Sequence, residues 1–189
     1  MIATEKKEWT YEEYYKIDDG NQYQVMKGEL IMVPAPSTDH QRFSRDIEFI
    51  LYNYIKKLAL GEVFNAPIDL ILDDKIVVQP DLVFISKEKA NIIKKRGIFG
   101  VPDLIVEIIS KSSIKMDRQE KFKLYEKYGV KEYWIADPNN KTIECFFLEN
   151  SKYEIFCYAD EKDNILKSKL LDGLEVNLND IFTFEEDDD

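Results

Sequence analysis

Two Pro-Asp pairs and one acidic strand carry the chemistry this chain can do. Pro80-Asp81 heads the apolar run Leu82-Val83-Phe84-Ile85, and Pro102-Asp103 heads Leu104-Ile105-Val106-Glu107-Ile108-Ile109. Runs this apolar read as strands buried on both faces. Glu107 nevertheless lies inside one of them. An unpaired buried carboxylate costs several kcal/mol, so Glu107 must be protonated, salt-bridged or bound to a cation. Asp117 and Lys121 follow on an expected helix. If the two strands are neighbours, Asp81 and Glu107 converge on one Mg²⁺ or Mn²⁺, hard ions that take oxygen ligands. Such a site hydrolyses phosphodiesters, and a lysine beside it stabilises the charge of the transition state.

Other chemistries fail by count. His40 is the only histidine and there are two cysteines, too few for a zinc site. No Gly-x-Ser-x-Gly elbow and no phosphate-cradling Gly-rich loop occur; the seven glycines are scattered. Cys145 and Cys157 fall on consecutive expected strands and read as reduced core residues. The first nine residues lack an apolar signal core, and no apolar stretch reaches membrane-spanning length, so a cytoplasmic protein without a membrane partner is expected.

The net charge of −11 argues against a nucleic-acid partner. The tail Glu185 to Asp189, expected to be disordered, carries five of those charges, and the remainder is still acidic. Basic residues do gather locally, at Lys94-Lys95-Arg96 and from Lys111 through Lys115, Arg118, Lys121 and Lys123 to Lys127. They flank the candidate site, and they suit either a local positive groove or a solvated helix face.

The elements that must position these residues follow from pattern and punctuation. Thr10 and Glu13 form a capping box for a short helix. A hairpin turns at Lys27-Gly28, and a long helix runs from about Thr38 to Leu60 with Gly61 as its stop. Val63 to Leu72 and Ile76 to Ile85 are expected to form one long hairpin, and Lys87 to Arg96 a polar helix. Leu104 to Ile109 is the next strand, Lys115 to Tyr128 a helix, and Glu132 to Ala136 another strand. A meander follows at Thr142 to Leu148 and Tyr153 to Tyr158, with short strands at Leu166–Leu171 and Leu174–Val176 and a last helical turn at Leu178 to Phe182. This order is that of a single α/β domain over residues 1–184, a mixed central sheet flanked by helices with a C-terminal antiparallel meander.

The residues also carry a family resemblance. Pro80-Asp81, then Pro102-Asp103-Leu104-x-Val106-Glu107-Ile108-x-Ser110, then Asp117-x-x-x-Lys121-x-x-x-Tyr125-x-x-x-Gly129-Val130-x-Glu132-Tyr133-Trp134-x-x-Asp137-Pro138 resembles the small "putative restriction endonuclease" family of the PD-(D/E)xK nuclease superfamily. Tyr23-x-Val25-x-x-Gly28-Glu29-Leu30-Ile31 and Pro34-x-Pro36-Ser37-x-x-His40 resemble it too, so the likeness spans about Tyr23 to Phe182. The resemblance implies a restriction-endonuclease-like core and Mg²⁺- or Mn²⁺-dependent cleavage of DNA. Asp81 then matches the motif aspartate and Glu107 the acidic residue of the triplet. The triplet lysine is absent: Ile109 stands two after Glu107. The resemblance points to Lys121 on the following helix as its replacement, with Lys111 as the rival.

Each residue has a plainer reading. Glu107 and Lys121 can form a structural ion pair without catalysis. Asp117 and Lys121 can be a surface i,i+4 pair worth about 0.3–0.5 kcal/mol. Asp103 reads as a turn residue, Glu48 as a solvated carboxylate, His40 as an exposed histidine, and Tyr125, Tyr128, Tyr133 and Trp134 as core packing; Asp103, Glu48, His40 and Lys111 stay as accessory candidates. The alternative function is a nucleic-acid-binding or interaction module that keeps the fold without turnover. A homodimer is left open. Deleting residues 185–189 should tighten non-specific DNA binding at low salt; unchanged affinity at low ionic strength would place the tail away from the binding surface.

Overall fold

The computed structural model describes residues 7–110 and 113–182. Lys111 and the tail 185–189 lie outside them. Thr10 caps helix α1 (Tyr11–Tyr14) through the expected capping box. Strands β1 (Tyr23–Met26) and β2 (Glu29–Met32) pair around Lys27-Gly28, and α2 spans Thr38–Leu58. The helix stops at Ala59, left-handed at φ 53°, rather than at Gly61, which opens β3 (Gly61–Asn65).

The expected long hairpin is cut in two. One arm divides into β3 and β4 (Leu70–Asp73), the other into β5 (Ile76–Val78) and β6 (Leu82–Ser86). Pro67 and Pro80 sit at the two breaks, and a proline offers no N–H to a ladder. The breaks face each other, since the Ala66 N–H donates to the Asp81 carbonyl at 2.9 Å. One hairpin therefore feeds two sheets, with β4 pairing β5 in the first and β3 pairing β6 in the second. The expected helix at Lys87 to Arg96 is instead a 3₁₀ segment, Lys87–Ile92, followed by β7 (Ile93–Lys94) and β8 (Gly97–Phe99).

Strand β9 is Leu104–Ile108, α3 is Phe122–Tyr128, and β10 is Glu132–Asp137. The meander is β11 (Thr142–Glu149) and β12 (Lys152–Ala159), and β13 (Ile165–Lys167) pairs β14 (Glu175–Asn177). A 3₁₀ turn at Leu178–Asp180 stands where the last helical turn is expected. The first sheet runs β2-β1-β5-β4-β8-β7 and the second β12-β11-β10-β9-β6-β3. In the second, β9 and β10 are parallel while β6 pairs β9 antiparallel. The fold is thus mixed α/β, with a mixed central sheet. Cys145 and Cys157 are register partners on β11 and β12, and both are free thiols.

Both faces of the second sheet are covered, as their apolar sequences require. Leu82, Phe84, Leu104, Val106 and Trp134 pack under Phe43, Ile47, Leu51 and Ile55 of α2, together with Leu166 and Val176 of the C-terminal hairpin. Val83, Ile85, Ile105 and Tyr133 pack with Leu124 and Tyr125 of α3 and with Leu70, Val78 and Ile98 of the first sheet. Glu132 staples the C-terminal segment to the first of these faces. Its Oε1 accepts from Trp134 Nε1 at 2.6 Å, and its Oε2 from the Lys169 and Leu170 N–H groups at 3.0 and 2.7 Å. Burial pushes its carboxyl above the usual range. Glu132→Ala should cost about 3 kcal/mol, because three donors lose their acceptor. Denaturant unfolding measures this; a loss within 0.5 kcal/mol or so would place water at those donors.

Candidate active site

Pro80 ends pairing in the first sheet, so Asp81 stands at the mouth of the second, one residue before β6. The β6–β9 register pairs Leu82 with Val106 and Val83 with Ile105. One step further it brings Asp81 opposite Glu107, on the face that α3 covers, since directly opposed residues share a face. Asp81 Oδ2 accepts the Ile108 N–H at 2.7 Å, and its Oδ1 lies 3.3 Å from His40 Nε2 in the first turn of α2. His40 is thus half-buried and paired rather than exposed. Burial works against its protonation, but the hydrogen bond and charge of Asp81 prevail and hold its pKa above the usual histidine value.

Glu107 is 2% exposed and both of its oxygens are engaged. Lys121 Nζ donates to Oε2 at 2.8 Å, and the Tyr125 hydroxyl donates to Oε1 at 2.7 Å. Burial pushes the Glu107 carboxyl up to about 8; Lys121 pulls it down, while Asp117 and Asp81 push it further up. Lys121, itself buried, keeps its proton firmly: burial disfavours the ammonium, but Glu107 and Asp117 hold its pKa above the ordinary lysine value. Asp117 is equally buried, with Oδ1 3.1 Å from the same ammonium. That contact has ion-pair distance without hydrogen-bond alignment, so Oδ1 is a buried acceptor with no hydrogen-bond partner.

The backbone explains how Asp117, Lys121 and Tyr125 meet one carboxylate. Residues four apart on an α-helix drift about 40° around the axis at 3.6 residues per turn. Met116–Lys121 is instead a π turn, in which the Phe122 N–H reaches back to the Asp117 carbonyl. A π turn holds more residues per turn, so its drift runs the other way and offsets that of the α3 turn that follows. The Tyr133 hydroxyl fixes the turn by donating to the same Asp117 carbonyl at 3.1 Å.

The other candidates fall elsewhere. Asp103, at the far end of β9, accepts the Ser86 N–H at 2.9 Å and pairs with Lys89 and Lys131 at 3.0 and 3.3 Å, which makes it a brace for strand ends. Glu48 lies eight residues along α2 from His40, about 12 Å of helix. Burial raises its pKa. Lys111 lies outside the described residues. Asp117 and Tyr125 belong to the cluster although the sequence reads one as half of a surface pair and the other as core. The signal that links them to Glu107 is their spacing of four and eight residues along one helix, with Lys121 between them. An open polar cleft is lined by Arg118, Asp137, Asn140 and Glu144, and none of Asp81, Glu107 and Lys121 lines it.

The model of the Uma2 family, described as "Putative restriction endonuclease", matches residues 10–179. The chain belongs to this family. Its fold also matches a crystal structure from Anabaena variabilis described as a putative nuclease belonging to DUF820, with TM-score 0.75, 18% sequence identity, and coverage of 92% of this chain and 97% of that one. No curated protein matches the chain. Family membership supports a nuclease. No helix among the described residues is long and apolar enough to cross a membrane.

The Tyr125 hydroxyl satisfies one buried oxygen of Glu107. Tyr125→Phe should therefore destabilise the protein by about 1–3 kcal/mol, the cost of a buried polar group left unsatisfied. Thermal or denaturant unfolding checks this, and a variant as stable as wild type would mean that water reaches Oε1.

Proposed function

We propose that this protein is a metal-dependent endodeoxyribonuclease that hydrolyses phosphodiester bonds of DNA by attack of water. The observation that carries the reading is the placement of Asp81 opposite a buried Glu107 that is in contact with Lys121. The donor chemistry suits a hard divalent cation. Glu107 and Asp117 bring two carboxylates to one ammonium, Asp81 stands at the strand end opposite Glu107, and Asp117 Oδ1 is buried without a hydrogen bond. Asp81 and Glu107 would hold Mg²⁺ or Mn²⁺. When bound, the ion supplies positive charge that polarises the phosphodiester and acidifies a water.

The chain's own groups do the remaining work. Asp81 is oriented by the Ile108 N–H and His40 before any substrate arrives, and Glu107 by Tyr125. Lys121 is a fixed positive charge on a buried stem, suited to the charge that develops on the phosphoryl oxygens. The packed sheet faces keep bulk water from the inner side of the cluster, which strengthens each of these interactions. The acidic surface of the chain predicts weak, salt-sensitive DNA binding in the absence of the cation.

Supercoiled plasmid should be nicked by the purified protein with Mg²⁺ or Mn²⁺, and EDTA should stop the reaction. Asp81→Asn and Glu107→Gln should each lower the rate at least about 100-fold, the scale of losing one electrostatic stabiliser. Absence of cleavage with either ion, alongside binding that weakens with salt, would replace this reading by a binding module without turnover. Full activity in Asp81→Asn would move the site elsewhere.

A further inference from the structure

Lys121 engages the carboxylate oxygens that a cation would use. Its ammonium is 2.8 Å from Glu107 Oε2 and 3.1 Å from Asp117 Oδ1, and the Tyr125 hydroxyl holds Glu107 Oε1 at 2.7 Å. Both oxygens of the strand carboxylate are therefore engaged. Asp81 is engaged as well, by the Ile108 N–H and His40. Among the described residues, no three His, Cys, Asp or Glu side chains are arranged as a metal cage. The geometry has given the position between Glu107 and Asp117 to an ammonium.

The geometry points to a two-position lysine. Lys121 is the resident cation of the site, and a divalent ion gains Glu107 only by driving the ammonium off Oε2 and wholly onto Asp117. This rests on the metal-dependent reading above and specifies how that site is regulated. Three features carry it. An ammonium and a divalent ion repel strongly in a buried setting, so they cannot share one carboxylate oxygen. Asp117 Oδ1 is already within ion-pair distance of Nζ and has no aligned hydrogen bond, so it is an unused acceptor for the displaced ammonium. The π turn keeps Asp117 and Lys121 in one column, so the terminal bonds of the lysine can exchange acceptors without moving the backbone.

The arrangement serves both states. Without metal, Lys121 neutralises carboxylates that would otherwise be buried unpaired, which keeps the strand ends folded. With a metal bound, the displaced ammonium would stay on Asp117 and supply a fixed positive charge to the site. The cost falls on metal affinity, because binding is weakened by the fraction of molecules in which Lys121 has left Glu107. Asp117 is thus a positioning residue that receives the lysine, not a ligand.

Calorimetric titration with MnCl₂ in the absence of DNA tests the proposal. Lys121→Met should bind Mn²⁺ at least about tenfold more tightly than wild type. Unchanged or weaker binding, or no Mn²⁺ binding by either protein, overturns the proposal. Asp117→Asn should weaken binding in the wild-type background, where the ammonium loses its second acceptor, and have a clearly smaller effect in the Lys121→Met background. An equal loss in both backgrounds makes Asp117 a ligand and overturns it too. Should Lys121→Met fail to fold, wild-type crystals soaked in MnCl₂ decide. Nζ should then be found on Asp117 and away from Glu107 Oε2, and an ammonium still on Glu107 with Mn²⁺ bound refutes the exchange. Plasmid cleavage by wild type is read separately. Cleavage together with an untightened Lys121→Met affinity removes the lysine proposal and leaves the nuclease reading; tightening without cleavage does the reverse.

Discussion

A carboxylate in the middle of a strand buried on both faces is the constraint on which the rest of the architecture depends. Glu107 cannot stay charged there without compensation, and removing its partners would leave a buried charge costing several kcal/mol. The compensation comes from a single helix, through Lys121 and Tyr125. That requirement fixes which face of β9 the helix must cover, how close it must approach, and where its turn must widen. The π turn at Met116–Lys121 breaks local regularity. An unbroken α-helix would carry Asp117, Lys121 and Tyr125 progressively around its axis.

The second constraint is the position of Asp81. A carboxylate opposite Glu107 inside a continuous strand would be buried as deeply and repelled as strongly. The proline breaks at Pro67 and Pro80 end the pairing there and send the two halves of the hairpin to different sheets. Asp81 is left at the rim, within reach of the Ile108 N–H and of His40 at the start of α2. Its carboxylate is oriented by hydrogen bonds while retaining access to solvent, and Glu107 is held inside. The two acids have unlike environments because one lies beyond a strand end and the other within a strand.

Membership of the Uma2 family and the shared fold with the Anabaena variabilis protein agree with this arrangement at the level of architecture. The chemistry assigned to the site comes from the side chains themselves. Asp103 shows the difference between motif and role. It sits in the second Pro-Asp pair, is as buried as Glu107, and spends its carboxylate on the Ser86 N–H, Lys89 and Lys131 at the opposite end of the strand. Two Pro-Asp pairs of identical appearance thus do different work because they begin strands that run in opposite directions, which places one aspartate at each end of the sheet.

Local features were legible in the sequence because short-range rules decide them. The apolar run around Glu107, the Thr10 capping box, the hairpin at Lys27-Gly28 and the meander at Cys145 and Cys157 all follow from periodicity and turn chemistry within a few residues. The demand that Glu107 find a cationic partner also followed from its own strand. Only the tertiary structure decided which partners it found. Tyr125 reads as core because a tyrosine ring packs alike whether or not its hydroxyl has an acceptor, and Asp117 reads as a surface residue because i,i+4 spacing says nothing of what covers the helix. The split of Val63–Leu72 and Ile76–Ile85 into two sheets was likewise hidden, since strands of either sheet have the same apolar pattern and only long-range pairing separates them. Sequence spacing specifies which side chains share a face; which faces meet is settled by packing between elements far apart in the chain.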